Sequence, residues 1–361
     1  MRPAAATADR GRAPRRRLLE SAVSTVPPGP LLDVAELAKR FTVGAKQGLL
    51  ARATSFRKPV APLPQLHAVD EVSFTIGRGE TVGLVGESGC GKSTLVRLIN
   101  RLLDPTSGSI RLGGTELADF KARDFAANPH RARIQMVFQD AGDSLNPRYT
   151  AADAIADPVR RLKKTSGAEL TARVEALADM TGLPRELLSR FPHQLSGGQK
   201  ARVGIARAIA VEPELLILDE PTAALDVSVQ VVILQLLQQL KRELGMSYLF
   251  VSHDLNVVRL LCDRVLVMYL GKVVEQGPAA EVFADPRHPY TRALISAIPQ
   301  AVPEQRAGRL RLDGEPRSPI DPDPRVCRFY GRCPKGTPRC AEEMPLLHPA
   351  GAARQVACHF A

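Results

Sequence analysis

The chain has 361 residues, of which 44% are hydrophobic and 24% charged, and its formal net charge is +11. This composition is ordinary for a folded protein of about two to three domains, and it excludes a mainly disordered chain. No apolar run approaches the length of about 18 residues that a transmembrane helix needs, so we expect none.

The basic excess lies at the two ends of the chain. Residues 1–67 carry 12 basic and 4 acidic side chains, residues 301–361 carry 10 and 7, and residues 68–300 carry 27 of each. A nucleic-acid-binding protein usually concentrates positive charge on its folded domain, so the neutral centre argues against nucleic acid. Residues 1–30 lack the apolar core of a signal peptide and are predicted to form a disordered basic arm, either a solvated tail or a tether to anionic lipid.

In chain order, short apolar runs alternate with helical patterns from Ala68 onward. The pattern predicts strands over 69–76, 81–85, 134–138, 215–218 and 247–251, and a hairpin over 265–275. It predicts helices over 93–103, with Leu95, Leu98 and Leu102 on one face, and over 227–244. A charged helical block at 150–190 interrupts the alternation. We therefore predict an α/β fold with a mostly parallel sheet and an inserted helical subdomain.

A phosphate-binding loop follows the second predicted strand and opens a helix. Its sequence is Gly86-Glu87-Ser88-Gly89-Cys90-Gly91-Lys92-Ser93, followed by Thr94. Glycines allow backbone N–H groups to converge on phosphates, and the helix start adds partial positive charge. Lys92 is predicted to contact the β- and γ-phosphates, and the Ser93 hydroxyl to bind Mg²⁺. The alternative is a glycine-rich turn that occurs by chance and does not bind phosphate.

Two carboxylates end the apolar run at 215–218. Asp219 is predicted to hold a water bound to Mg²⁺, because a carboxylate at the carboxyl end of a strand lies beside the phosphate loop. Glu220 is the predicted general base that polarises the attacking water. The alternative is a capping pair before Pro221.

A further segment, Leu195-Ser196-Gly197-Gly198-Gln199, resembles the signature motif of ABC ATPases. The other motifs of that family occur in the expected order along the chain. Gln139 resembles its Q-loop glutamine, Asp226 its D-loop aspartate and His253 its switch histidine. The resemblance covers residues 68 to about 285. It implies a P-loop NTPase core with a mostly parallel sheet, an antiparallel β subdomain and the inserted helical subdomain.

A closer resemblance, to ATPases of oligopeptide/dipeptide (peptide/nickel) importers, is carried by residues 144–148, by residues 288–294 and by the cysteine-bearing end of the chain. It implies an ABC ATPase domain over 31–298, with the helical subdomain at about 141–198, and a cysteine-rich extension over 299–361. The expected partners are a second ATPase subunit in a heterodimer, two membrane permeases and an extracytoplasmic binding protein, with no nucleic acid. The expected location is peripheral, on the cytoplasmic face of the bacterial plasma membrane.

The resemblance also implies roles for individual residues. Ser196, Gly197, Gly198 and Gln199 of one chain would complete the ATP site of its partner, and Asp226 would lie at the same interface. Gln139 would contact Mg²⁺ or the attacking water, and His253 the γ-phosphate. Phe41 is the predicted stacking partner of adenine, with His67 as the alternative.

Four of the six cysteines, Cys327, Cys333, Cys340 and Cys358, lie in the last 35 residues. Their spacing matches neither a zinc ribbon nor a ferredoxin, so only their number favours a metal. The neighbouring Arg328, Arg332, Lys335 and Arg339 are expected to lower the pKa values of the thiols. The resemblance favours a [4Fe–4S] cluster, while Zn²⁺ and free thiols or disulfides stay open.

The preferred function is thus an ATP-hydrolysing subunit of a peptide importer. One alternative is a soluble ABC ATPase that acts on nucleic acid or ribosomes, but such proteins often carry two cassettes, coiled coils or basic arms. Another is a regulatory subunit that binds ATP without hydrolysing it, which the presence of Glu220 and His253 disfavours.

Overall fold

The computed structural model describes residues 29–44, 63–140, 142–298, 310, 312 and 314–361, so the basic arm expected over 1–30 lies almost wholly outside the described residues. The strands are β1 (Leu32–Thr42), β2 (Gln65–Ile76), β3 (Thr81–Val85), β4 (Ser107–Leu112), β5 (Thr115–Glu116), β6 (Ile134–Val137), β7 (Leu215–Asp219), β8 (Ser247–Val251), β9 (Arg264–Tyr269), β10 (Lys272–Pro278), β11 (His348–Pro349) and β12 (Gln355–Val356). The α-helices are α1 (Lys92–Ile99), α2 (Ala122–Phe125), α3 (Ala151–Pro158), α4 (Gly167–Thr181), α5 (Gly197–Ile209), α6 (Val227–Leu244), α7 (Leu255–Leu261), α8 (Ala279–Ala284), α9 (Pro289–Ser296) and α10 (Arg339–Glu342).

The chain divides into two compact units. In its described part, the core unit comprises Pro30–Met136, Leu215–Glu220 and Ser247–Ala361. In its described part, the helical unit comprises Val137–Glu214 and Pro221–Met246. Helices α3, α4, α5 and α6 belong to the helical unit, and the bounds of the subdomain expected at about 141–198 stay a prediction.

The large sheet of the core unit has the strand order β11-β12-β10-β9-β3-β8-β7-β6. Strand β3 pairs in parallel with β8 on one side and with β9 on the other, and β7 pairs in parallel with β8. The predicted parallel pairing is confirmed for β3, β7, β8 and β9, while β10, β11 and β12 add antiparallel pairs at one edge of the sheet. Because the carboxyl ends of parallel strands meet at one edge, the segments that follow β3, β7 and β8 lie side by side.

A second, antiparallel sheet has the order β2-β1-β4-β5. It is the β subdomain that the family resemblance implies, although the local pattern of residues 31–67 does not show it. Register shifts interrupt the pairing of β1 with β2 after Val34, Leu37 and Lys39. These irregularities break the strict alternation of apolar and polar residues by which a strand is recognised in a sequence.

Helix α1 ends four residues earlier than the sequence pattern predicts. Leu95 and Leu98 are buried in the core as expected, but Leu102 is exposed, so its predicted place on the apolar face is wrong. Arg101 adopts a left-handed backbone with φ of 52°, and its fully buried guanidinium donates to Asp104 and to the carbonyl of Leu103. The chain therefore forms a turn that lets Arg101 make these hydrogen bonds, in place of the last predicted turn of helix.

The C-terminal segment packs onto the core unit. Strand β12 pairs with β10, and β11 pairs with β12, so the segment extends the edge of the large sheet. Ile320 forms a bridge with Leu66 of β2, and Phe329 is almost fully buried. The cysteine-rich extension expected over 299–361 thus shares the core of the larger unit in its described part.

The helical unit is built around α5, which packs against α3, α4 and α6. Ile155 of α3, Leu177 of α4 and Val203 of α5 are buried in it. Helix α3 begins with a capping box in which the Thr150 hydroxyl accepts from the backbone N–H of Asp153. Among the described residues, no helix has both the length and the apolar character to cross a membrane.

Candidate functional site

The phosphate loop leaves β3 and enters α1 through three glycines with left-handed backbone. A Cβ atom at Gly86 (φ 154°) would lie 2.2 Å from the carbonyl oxygen of Met268, and a Cβ at Gly91 (φ 109°) would lie 2.2 Å from that of Ala68. Gly89 is also left-handed, at φ 79°. The loop therefore lies so close to neighbouring backbone that only glycine fits at Gly86 and Gly91.

Lys92 is the first residue of α1, and its side chain is buried. Its Nζ donates to the carbonyl oxygens of Gly86 (2.7 Å) and Glu87 (3.0 Å), so the ammonium lies within the curve of the loop. Cys90 is buried beside it, and burial raises the pKa of the Cys90 thiol. The positive charge of Lys92 and the N-terminus of α1 make this loop an anion site.

Asp219 and Glu220 follow at the carboxyl end of β7. Burial, and then the neighbouring charge of Glu220, raise the pKa of Asp219, while Arg97 and Lys92 oppose the rise. Glu220 has a left-handed backbone with φ of 47°, and its N–H donates to the carbonyl of Val251. A non-glycine residue held in this conformation costs on the order of 1–3 kcal/mol, and such strain clusters at functional sites.

His253 follows β8, next to β7, and its Nδ1 lies 3.1 Å from a carboxylate oxygen of Glu220. The imidazole is largely exposed, whereas the Glu220 side chain is mostly buried. The core unit therefore brings the phosphate loop, Asp219, Glu220 and His253 to one edge of one sheet, as their positions after parallel strands predict.

The residues that resemble the signature motif, the Q-loop glutamine and the D-loop aspartate lie in the helical unit. Ser196 is the N-cap of α5, because its hydroxyl accepts from the N–H of Gln199 (3.3 Å), while its own N–H donates to the Gln199 side chain. Gly197 and Gly198 lie directly on the segment after β7, where added Cβ atoms would be 3.2 Å from Leu225 and 2.7 Å from Val229. These glycines let the start of α5 approach the start of α6.

Asp226 is the N-cap of α6, and its carboxylate accepts from the N–H of Val229 at 3.0 Å and from the Ser228 hydroxyl at 2.6 Å. These two hydrogen bonds lower the pKa of Asp226. Gln139 is exposed, two residues beyond the end of β6. The structure thus brings the Ser196 segment and Asp226 together within this unit.

Phe41 lies near the end of β1, opposite Leu66 of β2. Its ring is half-exposed, and the Lys39 ammonium lies 5.1 Å from the ring centroid. His67, the alternative partner for adenine, has its Nδ1 3.5 Å from a carboxylate oxygen of Asp70. The role of Phe41 as the stacking partner of adenine stays a prediction.

The four tail cysteines are free thiols, and the pKa values of three of them are raised by burial. For Cys327 the pKa reaches about 11, with the nearby Cys340 thiol adding to the effect of burial. Lys335 lowers the pKa values of Cys333 and Cys358 as expected, but burial outweighs it, so the expected net lowering is wrong. Arg328, Arg332 and Arg339 donate to carboxylates instead. Within the described residues no group of three or more His, Cys, Asp or Glu side chains is arranged to hold a metal ion.

Two side chains that the sequence analysis did not place at the site contact the phosphate loop. Tyr290 accepts a hydrogen bond from the N–H of Glu87 (2.8 Å), and Arg332 donates to the Glu87 carboxylate (3.0 Å). Both lie in stretches that carry the resemblance to peptide importers, but nothing in their spacing indicates a partner more than 200 residues away in the chain.

Residues 69–223 match the family described as "ABC transporter", and residues 274–340 match "Oligopeptide/dipeptide transporter, C-terminal region". A probable peptide ABC transporter ATP-binding protein of Sinorhizobium fredii is 48% identical over 91% of this chain and 89% of its own length. An oligopeptide transport ATP-binding protein of Escherichia coli is 49% identical over 88% of this chain and 92% of its own.

Solved structures give the same fold. A dimeric ATP-binding cassette in a post-hydrolysis state with ADP and Pi aligns with a TM-score of 0.59 at 29% identity, over 69% of this chain and 98% of its own. A component of an ABC transporter complex from Clostridium perfringens aligns with a TM-score of 0.57 at 33% identity, over 71% and 91% of the two chains. The expected cassette fold is therefore confirmed.

Proposed function

The chain belongs to the ATP-binding subunits of peptide ABC transporters, and on that premise we propose that it powers uptake of di- and oligopeptides through a membrane permease. Subunits of this family are ATPases coupled to transport. The single observation that carries the proposal is the match of two successive segments, the ABC cassette and the oligopeptide/dipeptide C-terminal region, in one chain. The alternative of an ATPase acting on nucleic acid or ribosomes has no support among these relatives.

In the proposed mechanism the phosphate loop binds ATP through its backbone N–H groups and Lys92. Asp219 would hold a water bound to Mg²⁺ and the Ser93 hydroxyl would bind the ion itself, since both are oxygen groups of the kind that Mg²⁺ prefers. The metal would offset the charge that builds up on the phosphates as the bond breaks.

Glu220 takes the proton of the attacking water in this mechanism, and His253 contacts the γ-phosphate. Their 3.1 Å separation supports a joint role, since the imidazole can orient the carboxylate through Nδ1. Ser196, Gly197 and Gly198 would serve the ATP site of a second ATPase subunit. The exposed start of α5, with its two glycines and its N-terminal partial charge, suits an approach to phosphate.

The proposed partners are a second ATPase subunit, two permeases and an extracytoplasmic binding protein, with this chain peripheral on the cytoplasmic face of the bacterial plasma membrane. Affinity purification from detergent-solubilised membranes tests this directly. Recovery of multi-span permeases and a second ATPase is the expected result. Recovery of the chain with ribosomes or nucleic acid instead would overturn the transport proposal.

A metal in the cysteine tail is a separate proposal, and no step of the mechanism depends on it. Its support is that four thiols lie in one short segment and that Cys340 is close enough to raise the pKa of Cys327. The raised thiol pKa values weigh against it, because a metal needs thiolates. Iron, sulfide and zinc assays on anaerobically purified protein decide among [4Fe–4S], Zn²⁺ and free thiols.

Glu220→Gln tests the hydrolytic step. In the reconstituted importer the variant is expected to lose at least about 100-fold in ATP turnover while still binding ATP, because an amide cannot accept the proton of water. Glu212→Gln is a matched control, since Glu212 is also left-handed (φ 58°) but pairs with Arg173 in the helical unit. Steady ATPase activity and peptide uptake by the Glu220→Gln complex would refute the assignment.

A further inference from the structure

Every polar group of Glu87, the second residue of the phosphate loop, has a partner. Its N–H donates to the Tyr290 hydroxyl (2.8 Å), and its carbonyl accepts from Lys92 Nζ (3.0 Å). Its carboxylate accepts from both terminal nitrogens of Arg332, at 3.0 and 3.4 Å. Glu87 therefore connects the lysine that binds phosphate with two side chains of the C-terminal third of the chain.

The Arg332 guanidinium is held in place from several sides. Only 10% of its side chain is exposed, and Nη1 also donates to the Tyr269 hydroxyl at 3.1 Å. The guanidinium lies 5.8 Å from the centroid of the Tyr269 ring. An arginine guanidinium keeps its charge in proteins. The charge is thus present and confined beside the loop.

The backbone that carries Arg332 is anchored independently. Phe329 is almost fully buried, and its ring centroid lies 5.2 Å from that of Tyr269 and 5.6 Å from that of Tyr290. A second buried ion pair joins Arg328 to Asp70 at 2.6 Å. A substitution of Arg332 therefore leaves the segment docked, and its effect can be separated from loss of the segment.

Without Arg332, the Glu87 carboxylate would be an uncompensated negative charge within a loop that binds phosphate. Like charges that share a site repel each other, and the repulsion is strong where burial reduces screening. Glu220 and His253 follow the strands β7 and β8, whereas the Glu87 carboxylate is part of the phosphate loop itself, so we expect this repulsion to act on nucleotide binding more than on the chemical step. Arg332 contacts neither of those two residues among the contacts described.

We propose that Arg332 and Tyr290 are positioning residues of the ATP site, which hold Glu87 from its carboxylate and its N–H and so set the affinity of the phosphate loop for ATP. The inference rests on the proposed ATPase function and deepens it. It also gives a role to the two stretches by which this chain resembles peptide importers, since each supplies one of the two contacts.

The test is the ATP dependence of hydrolysis by the assembled importer. Arg332→Gln is expected to raise KM for ATP about tenfold with kcat within about twofold, because a hydrogen-bonded charge pair is lost at the loop. In a Glu87→Gln background the same substitution is expected to change KM less than about twofold, because the charge that it would expose is already absent. Arg339→Gln is the control, since Arg339 lies in the same segment but pairs with Glu343 at the surface.

Tyr290→Phe is the second variant, and it changes no charge. It removes the oxygen that accepts from the Glu87 N–H and is expected to raise KM for ATP about fivefold without changing the fold. An unchanged KM in either variant, or a rise in Arg332→Gln that Glu87→Gln does not relieve, would overturn the proposal. Peptide stimulation of the parent complex is measured in the same preparation, so that a failure of the transport function is seen separately from a failure of this inference.

Discussion

Arg354 and Glu275 form a buried ion pair that ties the C-terminal strand to the large sheet. The Glu275 side chain is fully buried and that of Arg354 is 4% exposed. The Glu275 carboxylate also accepts from the backbone N–H groups of Arg287 and His288, at 3.0 Å each, and from Arg354 Nε at 3.1 Å. Arg354→Met keeps the aliphatic stem, which packs on Gly277, but leaves the carboxylate without its cation.

Removal of one partner of a buried pair typically costs about 3–5 kcal/mol. Because two backbone donors to Glu275 remain, we expect the lower end, about 3 kcal/mol, for the docking of β12. The Ala357 N–H reports on this docking, since it donates to the carbonyl of Val274 at 2.8 Å. Its hydrogen exchange is expected to accelerate about 100-fold in Arg354→Met.

The same exchange measurement on Arg339→Met is the control. That side chain is 60% exposed, and its pair with Glu343 is screened by solvent and contributes little to stability. Adding Glu275→Gln to Arg354→Met is expected to recover part of the protection, because the unpaired charge is then gone. An acceleration below about threefold in Arg354→Met would refute the reasoning that the buried charge needs its cation.

Two further predictions concern the edge of the sheet that holds the phosphate loop. Asp219→Asn is expected to abolish Mg²⁺-dependent hydrolysis but to raise the midpoint of thermal unfolding. Because the pKa of Asp219 is higher in the folded than in the unfolded protein, the parent loses stability as pH rises from the unfolded to the folded pKa. Calorimetry at two pH values should therefore show that the stability advantage of the Asn variant grows with pH. Gly91→Ala is expected to lower the free energy of unfolding by at least about 2 kcal/mol and to abolish ATP binding, because its Cβ would meet the Ala68 carbonyl. Gly89→Ala should lower it less, since nothing lies within 4 Å of the added Cβ. Equal decreases in the midpoint of thermal unfolding and in nucleotide binding in the two variants would contradict the steric argument.

The residues at this edge of the sheet can be predicted from the sequence, because each of them is recognised from its near neighbours in the chain. Asp219 directly follows the apolar run 215–218, His253 comes two residues after the run 247–251, and Lys92 comes after the run 81–85 and the glycine-rich loop. A parallel pairing of those runs is enough to bring the residues together. Strand β1 and the end of α1 could not be predicted in this way. They depend on bulged pairing between distant strands and on a buried guanidinium, Arg101, whose partners lie up to 19 residues away.

The basic residues of the C-terminal segment show the same limit more sharply. Their nearness in sequence to the cysteines predicts cations that favour thiolates, yet Arg328 and Arg332 turn to Asp70 and Glu87, 258 and 245 residues away. The guanidinium groups pair with carboxylates rather than with the thiols, because a buried guanidinium needs a charged acceptor. An ionised carboxylate is a better acceptor than a thiol that burial keeps protonated. Arg328 therefore stabilises the docking of this segment, and Arg332 contacts the phosphate loop. For this reason we expect these two charges to affect the affinity for ATP rather than the reactivity of the thiols.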